Sequence, residues 1–380
     1  MNRLVVCTLV TLHLAAATEA QTRTPEMPAA PGAPSAVLTV GDVAPPLAVE
    51  AFLAGRPITA FETGNVYVVE FWATWCAPCL EMMPHLSELQ AHFADRDVTI
   101  VGVDIREMRR SGEGFVESFD AQMRAHVEAF VRAQGERMAY TVAFDGAAKA
   151  MDDGWMKASG SEGLPTTFVV DRAGRIAWIG HPMVLRMPLH EVVEGTWDTQ
   201  TGPGRVKQAE EAYLAALRLL ASDAEAGLAA WDRAAAEHPL LKDDLIGPKY
   251  DALLAAGHRD EADAVGETYL AQLLRRRDVK ALNRLAWSLV DPAAERATRD
   301  LDLDLDLALR AAQAADTLAH GQDAGVLDTR ARVHFLLGEF DTAIALQSRA
   351  LELADEPLRS RLAPTLAEYE QARRESDSGD

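Results

Sequence analysis

Cysteine is scarce in this chain: of 380 residues only Cys7, Cys76 and Cys79 are cysteines. Because none follows Cys79, the second ligand pair that a structural zinc site needs at similar spacing is missing, and no metal is expected. Basic residues are outnumbered, 37 against 58 acids for a formal net charge of −21, which argues against a nucleic-acid partner and for a soluble, non-membrane surface. Long apolar runs are lacking too. The stretch Leu4 to Ala17 is too short to span a bilayer. Around Leu301 to Leu307 leucine and aspartate alternate, but the glycine and distal glutamate of an EF-hand do not occur there. That run reads as a loop entering a helix with acids in its first turn.

What is present is Phe71-Trp72-Ala73-Thr74-Trp75-Cys76-Ala77-Pro78-Cys79. Before it, Val66 to Trp72 runs on in β-branched and aromatic residues without polar alternation, as in a strand covered on both faces. After it, Pro78 fits an early helical position, and Leu80, Met83, Leu86 and Leu89 recur at helical spacing. Cys76 therefore falls at a helix N-terminus, where free N–H groups and the macrodipole favour a thiolate. This makes Cys76 the nucleophile. Cys79, one turn on and within disulfide reach, is the resolving thiol that attacks a mixed disulfide on Cys76. Glu70 is a carboxyl in an otherwise apolar strand, so burial should raise its pKa and let it exchange a proton with Cys79. An edge-strand glutamate reaching solvent is the other reading.

These residues resemble the thioredoxin-like superfamily, and within it the TlpA/ResA-type thiol-disulfide oxidoreductases grouped as redoxin domains. The F-W-A-x-W-C-x-P-C block, Pro84 five residues after Cys79, and Gly163-Leu164-Pro165-Thr166-Thr167-Phe168-Val169-Val170 followed by a hairpin over Asp171 to Trp178 carry the resemblance, which covers about Leu38 to Trp197. It implies an α/β thioredoxin-like fold, a central mixed sheet flanked by helices, working through a Cys76–Cys79 disulfide without a cofactor. It also implies that Pro165 is a cis-proline facing the dithiol and that the Leu164 backbone pairs with an extended client segment. Glu70 matches the buried acid of thioredoxins. Trp75 shields the disulfide, and Ala77-Pro78 tunes its potential and borders the substrate. Trp72 and Trp178 read as core, and His85 and His181 as structural. A peroxiredoxin-like activity is the further alternative, but Thr74 lies two residues before Cys76, where that pattern wants a threonine three before. Phe115 to Arg132 reads as a helical insertion.

The termini suggest four segments. Residues 1–20 read as a signal peptide cleaved near Ala20, or else retained as an anchor, and 21–36 as a flexible linker. Residues 37–198 form the thioredoxin-like domain, and 205–380 an all-α domain of helical hairpins. Ala308 and Ala315 recur as Ala343 and Ala350, 35 residues on, close to the ~34-residue tetratricopeptide period. The best unit runs from Asp323 to Glu356, and a weaker hairpin turns at Gly257. The expectation is an exported, periplasmic oxidoreductase that reduces disulfides in client proteins, takes electrons from a membrane thiol donor, and holds a protein partner on its repeats. A redox-sensing interaction module is the alternative.

Overall fold

The computed structural model describes residues 37–112, 114–292 and 304–378. The expected signal peptide and linker, with Cys7, and the segment 293–303 lie outside these. Seven consecutive buried residues form the strand Val66–Trp72, called β2. It sits inside a six-stranded sheet with β1 (Ala51–Ala54), β3 (Val98–Asp104), β6 (Thr141–Phe144), β7 (Thr166–Val170) and β8 (Ile176–Gly180), in the order β1-β6-β3-β2-β7-β8. β2 runs parallel to β3 and antiparallel to β7, so the sheet is mixed. Because side chains alternate along a strand, β2 supplies two cores. Val66, Val68 and Trp72 join the layer beneath α1 (Ala77–His92), while Tyr67, Val69 and Phe71 pack with Trp155 and Phe168 on the opposite face.

Between β3 and β6 the chain makes a two-stranded hairpin, β4 (Met108–Ser111) with β5 (Gly114–Glu117), and then α2 (Ala121–Gln134). The expected helix therefore begins at Ala121; Phe115 and Val116 are strand. Their exposure explains the misreading, since a short apolar pair on a hairpin carries no buried face to reveal a period of two.

After α3 (Arg186–Glu194) the chain is entirely helical among the described residues: α4 (Gly202–Leu220), α5 (Ala224–Glu237), α6 (Pro239–Lys242), α7 (Ile246–Ala255), α8 (Arg259–Arg276), α9 (Val279–Val290), α10 (Leu305–Leu318), α11 (Ala324–Leu336), α12 (Phe340–Leu353) and α13 (Glu356–Ser378). Asp304 caps α10 through the Leu307 N–H and Asp306 lies in its first turn, as the alternating run suggested. α11 and α12 form a hairpin that turns at Gly338, whose φ of +77° suits glycine. α7 and α8 turn at Gly257 in the same way. No described helix is long and apolar enough to cross a membrane.

The helical part shares its core with the sheet. Leu185, Leu189 and Val193 around α3 belong to one apolar cluster with Val206, Tyr213, Trp231, Leu241 and Leu245. A buried ionic cluster lies beside this core. Asp244 receives Arg186 at 2.8 and 3.1 Å and Arg276 at 3.0 Å, and Arg276 also reaches Glu88 at 2.8 Å and His85 Nδ1 at 2.9 Å. His85 and Glu88 come from α1, Arg186 from α3, Asp244 from the turn after α6, and Arg276 from the end of α8. Burial pushes the Asp244 carboxyl up, but the charges around it win and hold it below its ordinary value. Burial drives His85 down to about 4; Asp244 and Glu88 pull it up and Arg276 and Arg186 push it down, but burial dominates, so the ring is neutral.

Removing one member of such a cluster leaves buried charge uncompensated. Asp244→Ala should therefore destabilise the protein by about 3–5 kcal/mol in urea unfolding, because Arg186 and Arg276 lose their shared carboxylate. A loss below about 1 kcal/mol would show that the cluster is solvated and contributes no more than a surface ion pair.

Candidate active site: a disulfide at a helix N-terminus

The turn leaving β2 delivers Cys76 to the N-cap of α1 and Cys79 to its first turn. The two sulfurs are bonded at 2.04 Å with the Cα atoms 5.3 Å apart. Cys76 Sγ also accepts the Cys79 backbone N–H at 3.3 Å. Pro78 takes an early helical position that has no N–H to satisfy. The pair is well covered, Cys76 at 4% and Cys79 at 1% exposure, while Trp75, Ala77 and Pro78 surround it at the surface, Trp75 at 52%.

The Leu164–Pro165 peptide is cis. Thr166, the next residue, pairs with Phe71, so the register brings Pro165 to the same end of β2 from which the cysteine turn departs. Leu164 packs, half-buried, against the apolar cluster that contains both cysteines. Glu70 follows the even-numbered face of β2, with Trp72, toward α1. It is 1% exposed, and burial alone raises its carboxyl to about 8. Its neighbours across the sheet explain how a carboxyl fits there. Gly102 is its partner on β3, and a Cβ at Gly102 would come within 3.3 Å of the Glu70 Oε2 and 3.0 Å of the Tyr140 ring.

Two residues that sequence reasoning did not single out complete the site. Glu107 accepts the Thr74 N–H at 2.5 Å and the Thr74 hydroxyl at 2.8 Å, fixing the turn before the cysteines. Arg106, at φ +55°, accepts the Trp75 indole N–H on its carbonyl at 2.9 Å and donates to Asp152 at 2.9 Å and to the Glu162 carbonyl at 2.6 Å. It thereby joins the cysteine turn to the loop that enters the cis-proline. The one signal for them was position: Arg106 and Glu107 directly follow the carboxyl end of β3, where open α/β sheets gather their functional loops. Asp104, at that strand end, is wholly buried; burial first, then Glu107 and Asp145, push its carboxyl well above the ordinary range.

His85 and His181 do not reach the reacting sulfurs through any hydrogen bond, and Trp72 and Trp178 are core. His85, Glu88 and Asp244 approach closely enough to bind a cation, but Arg186 and Arg276 already neutralise those carboxylates, so the donor set does not suit one.

A dithiol capping a helix on a thioredoxin-like sheet defines a thiol-disulfide oxidoreductase, and comparison with known proteins agrees. The redoxin family profile matches residues 39–184. Protein FixW of Rhizobium leguminosarum is 36% identical over 160 residues, covering 42% of this chain and 68% of that protein. The thiol-disulfide oxidoreductase ResA of Geobacillus thermodenitrificans is 28% identical over 141 residues, 37% of this chain and 67% of its own. Among solved structures, a putative thiol:disulfide interchange protein DsbE from Chlorobium tepidum aligns over 41% of this chain and 99% of its own, at 24% identity and a TM-score of 0.30. The chain belongs to the redoxin family of thiol-disulfide oxidoreductases.

Glu70 also makes a pH-dependent contribution to stability. Below the ordinary value of 4.5 the carboxyl holds its proton in folded and unfolded chains alike. Between 4.5 and about 8 the unfolded chain releases that proton and the folded one keeps it, so stability falls as pH rises through this window. Glu70→Gln removes the loss. Its stability relative to the parent should rise by up to ~1.4 kcal/mol per pH unit across the window in urea titrations at pH 4.5, 6 and 7.5. Parallel profiles for the two proteins would mean that Glu70 is ionised and solvated in the fold.

Proposed function

We propose that the protein reduces disulfides in client proteins by dithiol exchange. The observation that carries this reading is Cys76 Sγ at the N-cap of α1, accepting a backbone N–H. In the reduced protein that N–H and the helix dipole favour the Cys76 thiolate. The thiolate attacks one sulfur of the client disulfide and expels the first client thiolate. Cys79 then attacks Cys76 Sγ, expelling the second client thiolate and re-forming the Cys76–Cys79 bond, so two electrons pass to the client. Glu70, in its ionised form, takes the proton that Cys79 must lose. A carboxyl near 8 is well matched to a thiol near ~8.5, so the transfer costs little in either direction. Leu164 and Pro165 hold an extended client strand beside the disulfide, while Trp75, Ala77 and Pro78 border it.

Reduction is the direction we propose. Cys76 Sγ accepts one hydrogen bond, from the backbone, among the described residues. The setting we propose is the periplasm, reached by the leader over residues 1–20, with a membrane thiol donor restoring the dithiol. Residues 37–198 are the catalytic module and 205–380 a tetratricopeptide-like module that holds the partner. A redox-sensing role is the second reading, because α1 carries both the cysteines and the buried contacts to Arg276. Repeated turnover on a generic protein disulfide supports the enzyme, and a single stoichiometric reaction supports the sensor.

Cys79→Ser should accumulate client proteins bound to Cys76 as mixed disulfides, visible on non-reducing gels, whereas Cys76→Ser should accumulate none. Equal adducts from both would overturn this assignment of roles. A redox titration of the pair should return a potential well below the about −120 mV of a strong oxidant such as DsbA; a value near it would make the protein an oxidase.

A further inference from the structure

The helical part also walls a groove that starts at the cysteine turn. A cavity of about 180 Å³ lies between Ala77 and Leu80 on α1 and Lys280 and Arg284 on α9, with Arg137 beside them. A larger one, about 670 Å³, shares Arg137 and Lys280 with it and continues to the turn between α10 and α11. Together they form a trough leading away from the residue that follows Cys76.

The charges in this trough are nearly all committed. Arg137 binds Asp278 at 2.5 Å and the Leu80 carbonyl at 2.9 Å, Arg277 is paired with Glu136, and Arg284 lies 3.8 Å from Glu81. Asp278 also caps α9 through the Ala281 N–H, and Asp323 caps α11. Lys280 differs. It is exposed, and among the described residues it has neither an ion pair nor a hydrogen bond. It also lies in the first turn of α9, where the positive end of the helix dipole disfavours a cation. An unpaired cation thus stands, against the energetics of its own helix, at the point common to both cavities, in a chain of net charge −21.

We propose that the trough receives the client segment flanking the cysteine under attack, and that Lys280 selects segments carrying aspartate or glutamate there. This rests on the reading above, in which Cys76 bonds to a client sulfur. A client chain leaving that sulfur past Ala77 enters the trough and meets Lys280. An exposed charge of this kind acts mainly on the rate of encounter, so the preference is greatest at low ionic strength.

The test uses the full chain, reduced with dithiothreitol and freed of it, against synthetic peptides whose single cysteine is a mixed disulfide with 2-mercaptoethanol. The flanks are acidic, neutral or basic, and bis(2-hydroxyethyl) disulfide serves as an uncharged small substrate. The expected result is an acidic-over-neutral preference in second-order rate constant of about fivefold at low salt, shrinking as salt is added. Lys280→Ala should abolish that preference, and Lys280→Glu should turn it toward the basic peptide. Lys207→Glu, on the exposed face of α4, should leave it intact. Both Lys280 substitutions are exposed, and K280E relieves the helix dipole, so a changed ratio does not reflect unfolding. A protein that reduces the small disulfide and all three peptides at equal rates, or a K280A variant with the parent's preference, overturns this inference alone. A protein that reduces none of them overturns the oxidoreductase reading and this inference together.

Discussion

β2 is a strand that water does not reach, and the rest of the site depends on that. Burial on both faces fixes its register between β3 and β7, because a slip of one residue would send Glu70 to the opposite face and Phe71 under α1. With the register fixed, the turn after Trp72 can leave the sheet at one place only, and Cys76 arrives at the start of α1 beside Pro165. The same burial denies Glu70 solvent and keeps its proton on. One apolar run thus sets the position of the sulfurs and the acidity of the group behind them.

Much of this was legible in the sequence because it is local. A continuous apolar run, a proline in the first turn of a helix and two cysteines three apart are short-range facts, and short-range facts survive folding. Glu70 was legible for the same reason, its burial following from the strand around it. Arg106 and Glu107 were not, since their partners Thr74, Asp152 and Glu162 are distant in the chain and nothing in their own neighbourhood announces them. His85 shows the limit from the other side. Setting it aside as structural left unseen what it structures, because Asp244 and Arg276 belong to the helical part. Phe115 to Glu117, in the second strand of the hairpin, reads as helix in the sequence for want of a buried face.

The helical part meets the redoxin domain through two kinds of contact. Its α3-facing core is apolar and continuous with the sheet's, whereas its contact with α1 is ionic. Apolar burial supplies most of the adhesion, being nearly indifferent to geometry. The arginine–carboxylate contacts are directional and tolerate little sliding, so they set the angle at which α8 and α9 meet the helix that carries the cysteines.

The ionic seam also bears on how such a chain can change over generations. A repeat array joined only by a linker could be exchanged for another without touching the catalyst. Here Arg276 and Asp278 answer to His85, Glu88 and Arg137, so the two parts share a lock whose halves are encoded far apart. A transplanted array would arrive without the matching half, and a drift in α1 would strand the arginines. The redoxin and helical parts of this chain are therefore matched to one another along that seam, and an exchange of either would have to carry the other's half with it.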